Sequence, residues 1–97
     1  MQLRFNADPG HGWLAVPLEL LDRLDLLDKI TSYSYIRGKY AHLEEDCDCS
    51  TFFAAAKAAG ITIIMRGSTC ANRRSRIRNY DPYSPARARW NLSNFGV

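Results

Sequence analysis

The spacing of apolar positions changes several times along this chain, and each change marks a predicted element. Residues 3–6, Leu-Arg-Phe-Asn, read as a short strand. Asp8-Pro9-Gly10-His11-Gly12 is a turn, dense in residues that redirect the backbone, and residues 13–16 follow as a short apolar strand. Pro17 suits a first helical position, where its missing N–H has no bond to make. Leu20, Leu21, Leu24 and Leu27 then recur at helical spacing, with Glu19, Asp22, Arg23, Asp25 and Asp28 on the opposite face. The pattern predicts an amphipathic helix of two or three turns.

Residues 31–36 and 39–44 read as two strands joined at Arg37-Gly38. Tyr33, Tyr35, Ile36 and Tyr40 favour strand, and Gly38 can take the positive φ of a tight hairpin. If Arg37-Gly38 is a two-residue loop, Tyr35 faces Tyr40 and Tyr33 faces His42. Ser34, Ile36, Ala41 and Leu43 then share the other face. A bulge at Gly38 shifts the register by one residue, so the pattern leaves open which face is core. The acidic run Glu44-Glu45-Asp46-Cys47-Asp48 suits the positive end of a second helix, with Asp48 or Ser50 as cap. Phe52, Phe53, Ala56 and Ala59 form its apolar stripe, and Gly60 is a natural stop. Residues 61–65 are nearly all apolar and β-branched, which predicts a strand buried on both faces.

From Trp13 the order is β-α-β-β-α-β. It predicts an α+β domain with a four-stranded antiparallel sheet and both helices on one face, either ferredoxin-like or a looser variant. After Gly67 the pattern dissolves into small polar residues and the turn chemistry of residues 79–85. One helical turn fits residues 86–90. The predicted organisation is a single domain, with an α+β body over residues 1–67 and a basic, largely irregular C-terminal arm over residues 68–97.

Charge sharpens that division. Residues 66–97 hold seven arginines, Arg66, Arg73, Arg74, Arg76, Arg78, Arg87 and Arg89, against the single acid Asp81, for a charge of +6. Residues 1–65 hold six basic and nine acidic side chains, for −3. An acidic body with a lysine-free basic arm points to an anionic partner, because a guanidinium grips phosphate or carboxylate with two parallel hydrogen bonds. The predicted binding residues are Arg73, Arg74, Arg76, Arg78, Tyr80, Arg87 and Arg89. The alternative is a solubilising tail, or arginines that fold back onto the body's own acids. A second candidate face is the tyrosine hairpin. There Tyr33, Tyr35 and Tyr40 would stack unpaired bases, while Arg37, Lys39 and His42 hold phosphate. Ordinary cross-strand packing is the competing role for those tyrosines.

Other chemistry has weaker support. Cys47, Cys49, Cys70 and His42 offer soft metal ligands, but one Cys-x-Cys without a second pair does not make a zinc site, and the neighbouring acids disfavour thiolates. The acids at 44–48 have a complete explanation at a helix start. His11 and His42 lack a motif that would bring a nucleophile to them. No Gly-rich phosphate loop, nucleophile elbow or His-Glu-x-x-His pattern occurs. Neither catalysis nor a cofactor nor a metal is expected. The odd cysteine count suggests a reducing compartment, no apolar run reaches a membrane span, and residues 1–8 lack the apolar stretch of a signal peptide.

The wording of the chain is similar to that of a family of short hypothetical proteins from bacterial phages, prophages and plasmids. The resemblance lies in residues 10–17 (Gly-His-Gly-Trp-Leu-Ala-Val-Pro), 28–31 with Tyr33-Ser34-Tyr35, 43–48, 54–61 and 77–80, and spans about residues 10–83. Cys49 departs from it. The family carries no established activity, so no residue role transfers. What the resemblance implies is a setting in the bacterial host's cytoplasm. There, small non-enzymatic proteins of mobile elements block nucleic-acid-directed defence complexes, as anti-CRISPR and anti-restriction proteins do. The leading expectation is interference of that kind by contact with a host protein or nucleoprotein complex. The alternative is direct DNA or RNA binding through the arginine arm as an accessory or regulatory protein.

Overall fold

A computed structural model describes residues 1–69 and 75–95. Six strands form one mixed sheet: β1 (Gln2–Ala7), β2 (Gly12–Pro17), β3 (Tyr35–Arg37), β4 (Tyr40–Glu44), β5 (Ile64–Thr69) and β6 (Asp81–Pro82). Their spatial order is β5-β1-β2-β4-β3-β6. Three helices accompany them: α1 (Leu18–Arg23), α2 (Asp48–Ala58) and α3 (Pro85–Phe95). This is an α+β domain, but its sheet is neither four-stranded nor wholly antiparallel. The N-terminal strand β1 lies between β2 and β5, antiparallel to β2 and parallel to β5. None of the described helices is long and apolar enough to cross a membrane.

Alternation along each strand divides the sheet into two faces. Leu3, Leu14, Val16, Ile36, Ala41 and Leu43 point to one face and are buried with Leu18, Leu21, Phe52 and Ala56 of the helices. The hairpin question is thereby answered: the Ile36, Ala41 and Leu43 face is core. Its register differs from a two-residue Arg37-Gly38 loop, because Tyr35 pairs with His42 and Arg37 with Tyr40. The turn is Gly38-Lys39, with Gly38 at φ 56°. The shift is two residues, so every side chain keeps its face and only the partners change.

α1 is shorter than the leucine spacing predicts. It ends at Arg23, and Asp25 takes a left-handed φ of 59°, turning Leu26 and Leu27 back into the core. Pro17 stands at the cap position, one residue before the helix. In α2 the capping expectation is also revised. Asp48 turns inward and accepts from Thr31 N (3.1 Å), Thr31 Oγ1 (2.8 Å) and Ser34 Oγ. Glu44 accepts from Cys47 N at 2.7 Å. The helix stops before Gly60, whose φ is 74°.

Two larger corrections concern the C-terminal half. The apolar run 61–65 is not a doubly buried strand. Residues 61–63 form a linker that packs Ile61 and Ile63 partly against the core, and β5 starts at Ile64 on the edge of the sheet. Nor are the described residues beyond 75 largely irregular. A 3-10 turn (Arg76–Asn79), β6 and an eleven-residue α3 follow, with Tyr83 and Ala88 inside the main core. Tyr83 Oη donates to Leu27 O at 2.6 Å, and Asn91 Nδ2 to Gly38 O at 3.0 Å.

Candidate nucleic-acid interface

Among the described residues no α-helix covers the second face of the sheet. By alternation and register it displays Arg4 and Asn6 of β1, Trp13 and Ala15 of β2, Tyr35 and Arg37 of β3, Tyr40 and His42 of β4, and Ile64 and Arg66 of β5. Glu44 is the single acid at these strand positions, and it is engaged with the start of α2.

The segment from Ser75 to Tyr80 crosses part of this face and is clamped by one carboxylate. Asp8, in the turn after β1, accepts from Ser75 N (2.9 Å), Arg78 Nε (2.6 Å) and Arg78 Nη2 (2.9 Å), and also from Gly10 and His11 N–H. Arg78 and these amides hold its carboxyl far below the usual carboxylate range. The Arg78 guanidinium lies 5.2 Å from the Trp13 ring centroid, and Ile77 is buried beside it. Trp13 is 2% exposed although it points away from the main core. Tyr80 packs on His42 with centroids 5.0 Å apart, and Arg37 lies 5.0 Å from the Tyr80 ring. A small aromatic and cationic second core results.

The rest of the face is open. A groove of about 500 Å³ runs past Gln2, Arg4, Ala15, Tyr40 and His42. It continues through Arg4, Asn6 and His42 into one of about 350 Å³ bounded by Arg76, Ile77 and Tyr80. Arg4, Arg37, Arg66 and Arg76 are exposed and form no ion pair among the described residues. Arg66 Nε donates to Gln2 Oε1 at 3.1 Å. His42 is not a fifth cation: burial, with the Arg37 charge adding to it, pushes its ring down to about 4. Its Nδ1 is buried and lacks a hydrogen-bond partner among the described residues. The face therefore offers fixed positive charge, one exposed phenol and the neutral His42 ring packed on Tyr80. It suits a flexible polyanion with planar groups.

The predicted binding residues separate into three groups. Arg73 and Arg74 lie outside the described residues. Arg78, Arg87 and Arg89 turn back onto the protein's own acids. Arg78 pairs with buried Asp8, Arg87 with Asp81 at 3.2 Å, and Arg89 with Asp28 through two bonds of 2.9 and 2.8 Å. Arg76 and Tyr80 stand at the groove. Of the hairpin residues, Tyr35, Arg37 and Tyr40 lie on the open face, whereas Tyr33 sits in the turn before β3, outside the sheet, and is 75% exposed. Arg4, Asn6 and Arg66 were missed by sequence reasoning. The signal for the first two was there: residues 2, 4 and 6 are polar while 3, 5 and 7 are apolar. Among the described residues no cluster of three His, Cys, Asp or Glu side chains is placed to hold a metal ion. Cys49 is buried, donates to Leu43 O and is pushed up to about 12 by burial, with Glu44, Asp48 and Glu45 adding to the effect. No protein-family model, curated protein or solved structure matches the chain.

Proposed function

We propose that this protein binds single-stranded nucleic acid across the open face of its sheet. The observation that carries the reading is a set of four arginines that form no ion pair among the described residues: Arg4 and Arg76 line a groove with Tyr40 and His42, while Arg66 and Arg37 stand at the strand positions paired with Arg4 and Tyr40. Arginine supplies salt-sensitive phosphate contacts, and aromatic faces take unstacked bases without regard to sequence. The binding surface is thus the sheet rather than a free arm, since three arginines of the C-terminal segment are held by Asp8, Asp28 and Asp81. In the mobile-element setting implied by the resemblance, such a face would compete for the guide or target strand of a host defence complex. Contact with that complex's protein would be secondary to the strand.

The test uses fluorescein-labelled DNA and RNA single strands of about 12 nucleotides, a length typical of small single-strand binders. Arg4→Glu combined with Arg76→Glu is expected to reduce affinity at least tenfold. Arg87→Ala combined with Arg89→Ala, on pairs already neutralised, is expected to leave it within about twofold. Equal loss from both double variants, or no binding by the wild type at low salt, overturns the reading.

A further inference from the structure

The two edges of the sheet are built differently. One ends in β6, two residues long and closed by Pro82, which cannot donate a ladder bond. The other ends in β5, six residues long, and among the described residues no strand pairs with its outer side. Two exposed apolar side chains lie on this strand, Ile64 (51%) and Met65 (52%), with Met1 beside them. Neither lysine, acid nor proline guards it. An edge of this kind is a template for another strand.

The geometry points to a second copy of this chain as that strand, joined antiparallel about a two-fold axis at Gly67. Ile64 N donates to Met1 O at 2.8 Å, so Ile64, Arg66 and Ser68 turn their backbone groups toward β1. The alternation of the ladder then turns those of Met65, Gly67 and Thr69 outward. A symmetric antiparallel pair must be centred on one residue and matched to its own image. Centred on Gly67, the register sets Met65 opposite Thr69 of the partner subunit and Gly67 opposite its image. All three outward-facing residues are then bonded. Centred on Arg66, it would oppose two guanidinium groups directly and bond only two of the three. Among the described residues nothing within one chain accounts for Gly67. Its φ is outside the left-handed region, and a Cβ there would meet no described atom within 4 Å. A glycine inside a strand costs stability and marks a close backbone approach. Here the approach is the image strand, with no side chain at the axis. A strand from an unrelated protein would require neither that centre nor that vacancy.

The dimer is independent of nucleic-acid binding, although it would place two open faces side by side. Light scattering on the purified protein tests it. The wild type is expected at twice 11.0 kDa, with dissociation on dilution. Gly67→Pro removes an outward N–H without touching the bonds to β1 and is expected at 11.0 kDa with an unchanged far-ultraviolet spectrum. Met65→Lys, on a half-exposed side chain, is expected to be monomeric as well and carries the test if the proline variant fails to fold. A wild type that stays at 11.0 kDa at the highest concentration reached, or a dimer that survives both substitutions, overturns the inference.

Discussion

Asp48 and His42 are both withdrawn from water, and their surroundings set opposite consequences. Asp48 is fully buried but accepts from Thr31 N, Thr31 Oγ1 and Ser34 Oγ, while Ser34 Oγ accepts from Glu44 N at 3.0 Å. One carboxylate therefore ties the start of α2 to the turn before β3. Asp48→Ala strands those donors and is expected to cost about 2–4 kcal/mol, read from chemical denaturation. The acidic run at 44–48 made a cap the natural sequence reading, because the donors that claim Asp48 lie 14 and 17 residues away. His42 lacks such partners. Its ring takes a proton near pH 6.5 in the unfolded chain and near 4 in the folded one. Between those values the unfolded state binds more protons. Stability is therefore whole above about pH 6.5 and falls by up to about 3 kcal/mol as the pH drops to about 4. His42→Phe should flatten that stretch of the stability–pH curve while the acid-limb loss from Asp8 remains. A slope between pH 6.5 and 4 that is unchanged in the variant would assign it to another group.

The elements legible in the sequence are those whose pattern is local. β2, the second hairpin strand and α2 follow from short apolar stripes and from Gly38 and Gly60, whereas the first hairpin strand, expected over residues 31–36, is confined to Tyr35–Arg37; the partition of hairpin side chains into two faces survives even though the register moves. β5 was misplaced because residues 61–65 are nearly all apolar. The strand begins where β1 supplies a partner, while Ile61 and Ile63 are used by the linker. α3 was foreseen only as a single turn over residues 86–90, for a related reason. Only Ala88 and Asn91 are buried along it, so it has little apolar stripe of its own. It is held by bonds to distant residues: Asn91 to Gly38, Arg89 to Asp28, and, just before it, Tyr83 to Leu27. Burial pushes the Tyr83 phenol up to about 12, so it remains a donor throughout the neutral range. Tyr83→Phe leaves Leu27 O without that donor and is expected to cost about 1–2 kcal/mol. Tyr83→Ala, which also empties a core site, is expected to cost about 3–5 kcal/mol. Both are measured by thermal or urea unfolding. If residues 83–95 were a loose appendage, neither change would register.

At the scale of the whole molecule, the charge asymmetry of the sequence is real but is redistributed by the fold. Three of the arginines beyond residue 75 neutralise Asp8, Asp81 and Asp28. On the open face, the arginines without an ion pair among the described residues come from separate stretches: Arg4 in the first strand, Arg37 in the hairpin, Arg66 in β5 and Arg76 after it. No linear count reveals that set, because only the insertion of β1 between β2 and β5 brings Arg4 and Arg66 onto one surface at paired positions. The set has a measurable thermodynamic signature. Each phosphate neutralised on a single strand releases about 0.7 of a counterion, so four arginine contacts give a log–log slope of affinity against salt of about −3. Arg4→Gln combined with Arg66→Gln should bring the slope to about −1.5, with a matching loss of affinity at low salt and little change at high salt. Tyr40→Ala should instead lower affinity by about 1–3 kcal/mol and leave the slope unaltered, because stacking releases no counterions. These two responses, one in slope and one in intercept, separate a strand lying on this sheet from a folded acidic protein resting against it. For such a protein the slope would be shallow, and the phenol and the two arginines would not divide their effects in this way.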